Sequence, residues 1–87
     1  METVHVKTPS GYEADIDKAA LDDYELTEIM AEYVGGNGLA LPRMVNRVLS
    51  PEDRKRLMDH LRGEDGRVST DAVSAEFLEI IRAARKN

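Results

Sequence analysis

The sequence predicts a small α+β domain that is mostly α, with an N-terminal β-hairpin packed on a bundle of about four short helices. Three observations carry this expectation. Two short alternating apolar runs, Val4/Val6 and Tyr12/Ala14/Ile16, flank the turn-forming Thr8-Pro9-Ser10-Gly11. From Leu26 onward the apolar residues recur at helical spacing instead. Between these stripes stand Gly35-Gly36-Asn37-Gly38, Ser50-Pro51 and Glu64-Asp65-Gly66, residues that stop or start helices. A chain of 87 residues with 41% apolar content supports one domain over 1–87, with 1–16 as the hairpin and 17–87 as the helical part.

In the hairpin, Pro9 and Gly11 hold the second and fourth positions that a type I turn favours. A lone hairpin is marginal in water, so its apolar face must lie on the helices. Residues 17–21 read as a short turn. Asp22 and Glu25, three apart, form a capping-box-like start to a helix striped with Leu26, Ile29, Met30, Tyr33 and Val34. Residues 35–38 end that helix and form the longest break, the expected flexible loop. Leu41, Met44, Val45, Val48 and Leu49 fall at i, i+3, i+4, i+7 and i+8, a continuous apolar face. Ser50 caps the next helix, Pro51 fits its first position, and Glu52 and Asp53 suit its positive end. Leu57, Met58 and Leu61 form its stripe, with Gly63 as the expected C-terminal cap. Ser69 or Thr70 caps the last helix, where Val73, Phe77, Ile80, Ile81 and Ala84 make the strongest helical signal and the expected largest share of the core. Arg82, Arg85 and Lys86 sit at its negative end.

Composition excludes several classes. The absence of cysteine removes disulfide, thiolate and zinc–thiolate chemistry and fits a reducing cytoplasm. No window approaches the roughly 20 apolar residues of a membrane span, and no export signal is legible. The net charge of −5 is unevenly distributed: residues 1–38 hold nine acids against Lys7 and Lys18, whereas 39–63 hold six bases against three acids. An acidic front and a basic middle disfavour a general phosphate-backbone footprint and favour a partner protein or another copy of the chain.

The candidate chemical motifs each have a plainer explanation. Residues 61–72 resemble the second half of an EF-hand loop, but Leu61, Gly63 and Ala72 stand where ligands are needed, so no calcium is expected. The glycines at 35–38 lack the Lys-Ser or Lys-Thr of a phosphate cradle. His5 and His60 lack metal-site spacing and read as surface histidines. Ser10 is assigned to a turn, Ser50 and Ser69 to caps, and Ser74 to the polar side of the last helix, so no triad can be assembled. Asp22, Asp23, Glu25 and Glu28 crowd a helix start, where the dipole welcomes them. The chain is therefore read as a non-enzyme with no cofactor. Arg43 and Arg47, with Arg54, Lys55, Arg56 and Arg62 after them, either neutralise the acidic front or form a nucleic-acid patch; negative total charge and few aromatics favour the former.

The order of TPSGYEADID, LDDYELTEIMAEYV, a Gly-rich gap, LALPRMVNRVL, DRKRLMDHLR and EDGRVSTDAVSAEFLEII resembles the tail assembly chaperones of long-tailed bacteriophages, over nearly the whole chain. The gap at 35–38 departs from the family pattern. The resemblance implies a helical protein in the cytoplasm of a bacterial host that keeps the coiled-coil-forming tape measure protein soluble until the tail tube polymerises. Other tail proteins and a second copy are further implied partners. The surfaces expected to bind are Arg43, Met44 and Arg47 on one helix and Phe77, Ile81 and Arg85 on the last, with Met1, Met30, Met44 and Met58 as adaptable side chains. The alternative reading is a small regulatory module that binds nucleic acid or another protein through the basic middle.

Overall fold

The computed structural model describes residues 2–86, so Met1 lies outside the described residues. Strand β1 (Thr3–Lys7) pairs antiparallel with β2 (Glu13–Asp17), Val4 opposite Ile16 and Val6 opposite Ala14. Val4, Val6, Ala14 and Ile16 are buried while Thr3, His5, Lys7, Glu13 and Asp15 face solvent, as strand alternation requires. The turn closes through Gly11 N–H donating to Thr8 O at 3.0 Å and Thr8 N–H donating to Tyr12 O at 2.9 Å. Gly11 takes φ +96°, a left-handed conformation that a side chain would strain.

Among the described residues five α-helices follow: α1 (Lys18–Leu21), α2 (Tyr24–Val34), α3 (Leu41–Val48), α4 (Pro51–Leu61) and α5 (Thr70–Arg85), with a 3-10 turn at Gly38–Ala40 before α3. The mostly helical α+β class is thus observed. Residues 17–21 are more ordered than a turn, because the Asp17 carboxylate accepts Ala19 N–H at 3.0 Å and starts α1. The cap of α2 is Asp23, one residue later than expected; its carboxylate accepts Glu25 N–H at 3.0 Å. Ser50 and Ser69 cap α4 and α5 by accepting Asp53 N–H at 3.1 Å and Ala72 N–H at 3.2 Å. Gly63 does not cap α4, which ends in an extended Arg62. Instead Gly63 N–H donates to Arg67 O at 2.8 Å and Arg62 pairs with Val68, so the segment after α4 folds back as a small closed loop.

One apolar cluster joins the hairpin to every helix from α2 to α5. Helix α5 contributes more buried side chains than any other element, namely Val73, Glu76, Phe77, Ile80, Ile81 and Ala84. Helix α3 contributes Leu41, Met44, Val45 and Val48, all from the expected stripe. On α2 only Leu26 is fully buried, and Val34, expected in the stripe, is 84% exposed at the last turn.

Candidate protein-binding groove

The Gly-rich segment is a defined turn held by its own hydrogen bonds. Gly36 takes φ +111° and donates to Tyr33 O at 3.1 Å, Asn37 N–H donates to Glu32 O at 3.0 Å, and the Asn37 side chain accepts Leu39 N–H at 3.3 Å. This geometry stands Leu39 on the surface with 86% of its area exposed. Leu39 forms one lip of a groove of about 330 Å³. Its walls are Leu41 and Val45 from α3, Met58 from α4, Val68 from the closed loop and Val73 from α5. Leu41 and Val45 are i,i+4 neighbours and so share one face of α3. Val68 is held by the 62–68 pairing, which Arg62 reinforces by donating from Nη1 to Gly66 O at 2.8 Å. Asn46, Arg54 and Thr70 add polar groups to the lining. An apolar trough with an exposed leucine at its lip and one cation in its lining is suited to the apolar face of a partner segment carrying acidic flanks.

The residues proposed from sequence as binding surfaces do not lie here. Met44, Phe77 and Ile81 are 2%, 1% and 4% exposed and belong to the central core, which corrects their assignment to a surface in the isolated chain. Their helical stripes are already covered by the rest of the fold. Arg43 and Arg47 are on the outer side of α3 but face α2. Arg43 Nη2 lies 2.7 Å from Glu32 Oε2, and Arg47 places Nε 2.6 Å from Asp23 Oδ2 and Nη2 3.1 Å from Glu25 Oε1. The Arg47 guanidinium holds Asp23 below the usual carboxylate range, and Asp23 in turn raises Arg47. Arg56 pairs with Asp53 at 2.7 Å. With Arg62, 3.4 Å from Asp59, four guanidiniums of the basic middle are engaged by acids of the same chain among the described residues. Arg85 is exposed near the C-terminal end of α5, apart from Arg43 and Arg47.

A second polar cluster escapes the sequence reading. Glu76 is 7% exposed, and its Oε2 accepts the Thr8 hydroxyl at 2.5 Å and the Ser10 hydroxyl at 2.7 Å. Ser10 Oγ is also 2.9 Å from His60 Nε2, and the His60 ring lies 5.9 Å from that of Tyr12. A serine has one hydroxyl proton, and here it goes to the carboxylate, so His60 Nε2 must donate to Ser10. A nucleophilic serine needs the reverse arrangement, with imidazole accepting its proton. The cluster is a clasp between the hairpin turn and α5. Tyr12 extends it to α4, donating its hydroxyl to Asp53 O at 2.7 Å beneath Arg56, whose guanidinium carbon is 5.4 Å from the ring centre. Burial pushes the Tyr12 phenol up to about 12. The signal for Glu76 was present in the sequence, since positions 73, 76, 77 and 80 share one helical face and three of them are apolar.

On the outer face of the hairpin, His5 bridges Asp15 through Nδ1 at 2.8 Å and Glu13 through Nε2 at 2.9 Å. These carboxylates raise the imidazole, Asp15 most, and His5 lowers Glu13. Ser74, assigned to a polar face, is hydrogen-bonded to the Tyr33 hydroxyl and ties α5 to α2. Among the described residues no three metal-type side chains converge, and no helix is long and apolar enough to cross a membrane. No protein-family model, curated protein or solved structure matches the chain.

Proposed function

We propose that this chain is a non-enzymatic tail assembly chaperone that binds the tape measure protein and keeps it soluble, acting in the cytoplasm of a bacterial host. The observation that carries the reading is the apolar groove between α3, α4 and α5 with Leu39 standing free at its lip. A tape measure protein exposes apolar helical seams before the tube encloses it, and such a seam is the kind of segment this groove would take. The motif order described above suggests the client, and an apolar groove of this kind supports the reading. The nucleic-acid alternative is weakened by the ion pairs that engage Arg43, Arg47 and Arg56.

The test is co-expression with the longest coiled-coil protein encoded beside this chain, comparing wild type with Leu39→Glu. Leu39 is exposed and outside the core, so the variant keeps its fold. The long protein is expected to be soluble and to co-purify with wild type, and to be lost to the pellet with Leu39→Glu. Equal solubility with and without the wild-type chain would remove the proposal.

A further inference from the structure

The hairpin is a two-stranded sheet with two edges, and these edges differ. Thr8 N–H bonds Tyr12 O and Lys18 N–H bonds Glu2 O, so the even-numbered residues of β1 face β2. Antiparallel alternation then turns the backbone groups of Thr3, His5 and Lys7 outward. The outer edge of β2 is obstructed by Arg56, whose Nη1 donates to Glu13 O at 2.9 Å. Along β1, by contrast, runs a groove of about 610 Å³. One wall is the strand from His5 to Pro9, and the other is α5 through Glu79, Arg82, Ala83 and Lys86. A slot between an edge strand and a helix is the geometry by which extended peptides join a sheet. Its charge is one-sided. Lys7, Arg82 and Lys86 line it against a single acid, Glu79, which Arg82 Nη1 already meets at 2.9 Å.

We propose that the β1 edge is a second docking site, distinct from the Leu39 groove, which takes an extended acidic segment of a partner protein as an added strand. Main-chain bonds to Thr3, His5 and Lys7 would supply register, and acidic side chains would meet Lys7, Arg82 and Lys86. A second copy of the chain pairing β1 on β1 fits less well, because it brings the same cations to both sides of the seam. The proposal does not depend on the identity of the tail-assembly client.

The probe is a blocked nine-residue peptide of alternating valine and glutamate, followed by fluorescence anisotropy and by amide shifts of the ¹⁵N-labelled chain. Saturable binding is expected, with the largest shifts at Thr3, His5 and Lys7. A peptide N-methylated on the edge that faces β1 should not bind, and Lys7→Glu with Arg82→Glu should weaken binding about tenfold or more. Both replaced side chains are exposed, and wild-type circular dichroism of the double variant checks its fold. Three outcomes each overturn the proposal: no binding, binding indifferent to N-methylation, or protection of these amides by concentration-dependent dimerisation without peptide.

Discussion

Arg47 on α3 grips Asp23 at the start of α2, with Nε 2.6 Å from Oδ2, while the other oxygen of the same carboxylate accepts Glu25 N–H at 3.0 Å. One side chain therefore caps a helix and fastens it to its neighbour. Asp23→Ala should lower the melting temperature more than Arg47→Ala, because only the former loses the cap as well as the ion pair. The depressed Asp23 contributes stability that is full above its ordinary value of 3.8 and is lost as pH falls through the lowered one. Melting temperatures of wild type and Asp23→Asn should differ at neutral pH and draw together as pH falls below 3.8.

Glu76 holds the hairpin turn against α5 with two hydroxyl donors. Removing it as Glu76→Ala should cost about 2–3 kcal/mol in urea denaturation, since the bonds it accepts from two hydroxyls are lost and Thr8, 3% exposed, is left with only its longer contacts to Ser10 Oγ and the Tyr12 backbone. Ser10→Ala should cost less, and the double variant should fall short of the sum by about 1 kcal/mol.

The Tyr12 phenol should ionise at about 12 in an ultraviolet titration. Its folded value is raised, so its contribution is complete below the ordinary value of 10 and disappears as pH climbs through 12. Tyr12→Phe removes the bond to Asp53 O and should cost about 1 kcal/mol at neutral pH.

His5 should titrate above 6.5 by NMR, and Asp15→Asn should bring it down further than Glu13→Gln, since Asp15 is the larger cause. The raised imidazole stabilises the hairpin below 6.5 and loses that effect as pH rises through its folded value. The lowered Glu13 contributes above 4.5 and loses its share as pH falls through its own. The bridge is consequently fullest between these two limits, and His5→Gln should flatten the pH dependence of stability on either side of that window.

Phe77→Ala should cost about 3–5 kcal/mol and Met44→Ala about 2–5 kcal/mol, as truncations in a packed core do. Loss of the folded far-ultraviolet signal, or a much lower urea midpoint, is the expected readout. A folded variant of undiminished stability would return these side chains to the surface.

The hairpin face and the α3 stripe are legible in sequence because alternation and helical spacing are local properties. Val4, Val6, Ala14 and Ile16 all face inward, as do Leu41, Met44, Val45 and Val48. What covers a stripe is not local. Met44, Phe77 and Ile81 obey the periodicity of a binding face and of a core equally well, and only the assembled fold places them in the core. Arg43 and Arg47 pair with Glu32 and Glu25 on α2 and with its cap Asp23, contacts between segments that the uneven charge along the chain makes legible only as a tendency. Leu39 belongs to no stripe, so its place at the groove emerges only from the turn geometry of Gly36 and Asn37. The cap shifted from Asp22 to Asp23 because adjacent aspartates offer the same chemistry and the packing of α2 chooses between them.

The hydroxyls of Thr8 and Ser10 meet their acceptor on Glu76, 68 and 66 positions further along the chain. During synthesis the hairpin therefore leaves the ribosome long before the helix that satisfies its turn. The contacts to Glu76 cannot form until α5 has been made, so the turn and the last helix meet only after the hairpin has emerged. A nascent chain stalled before Thr70 should leave the 8–12 turn open to protease, and release of α5 should close it.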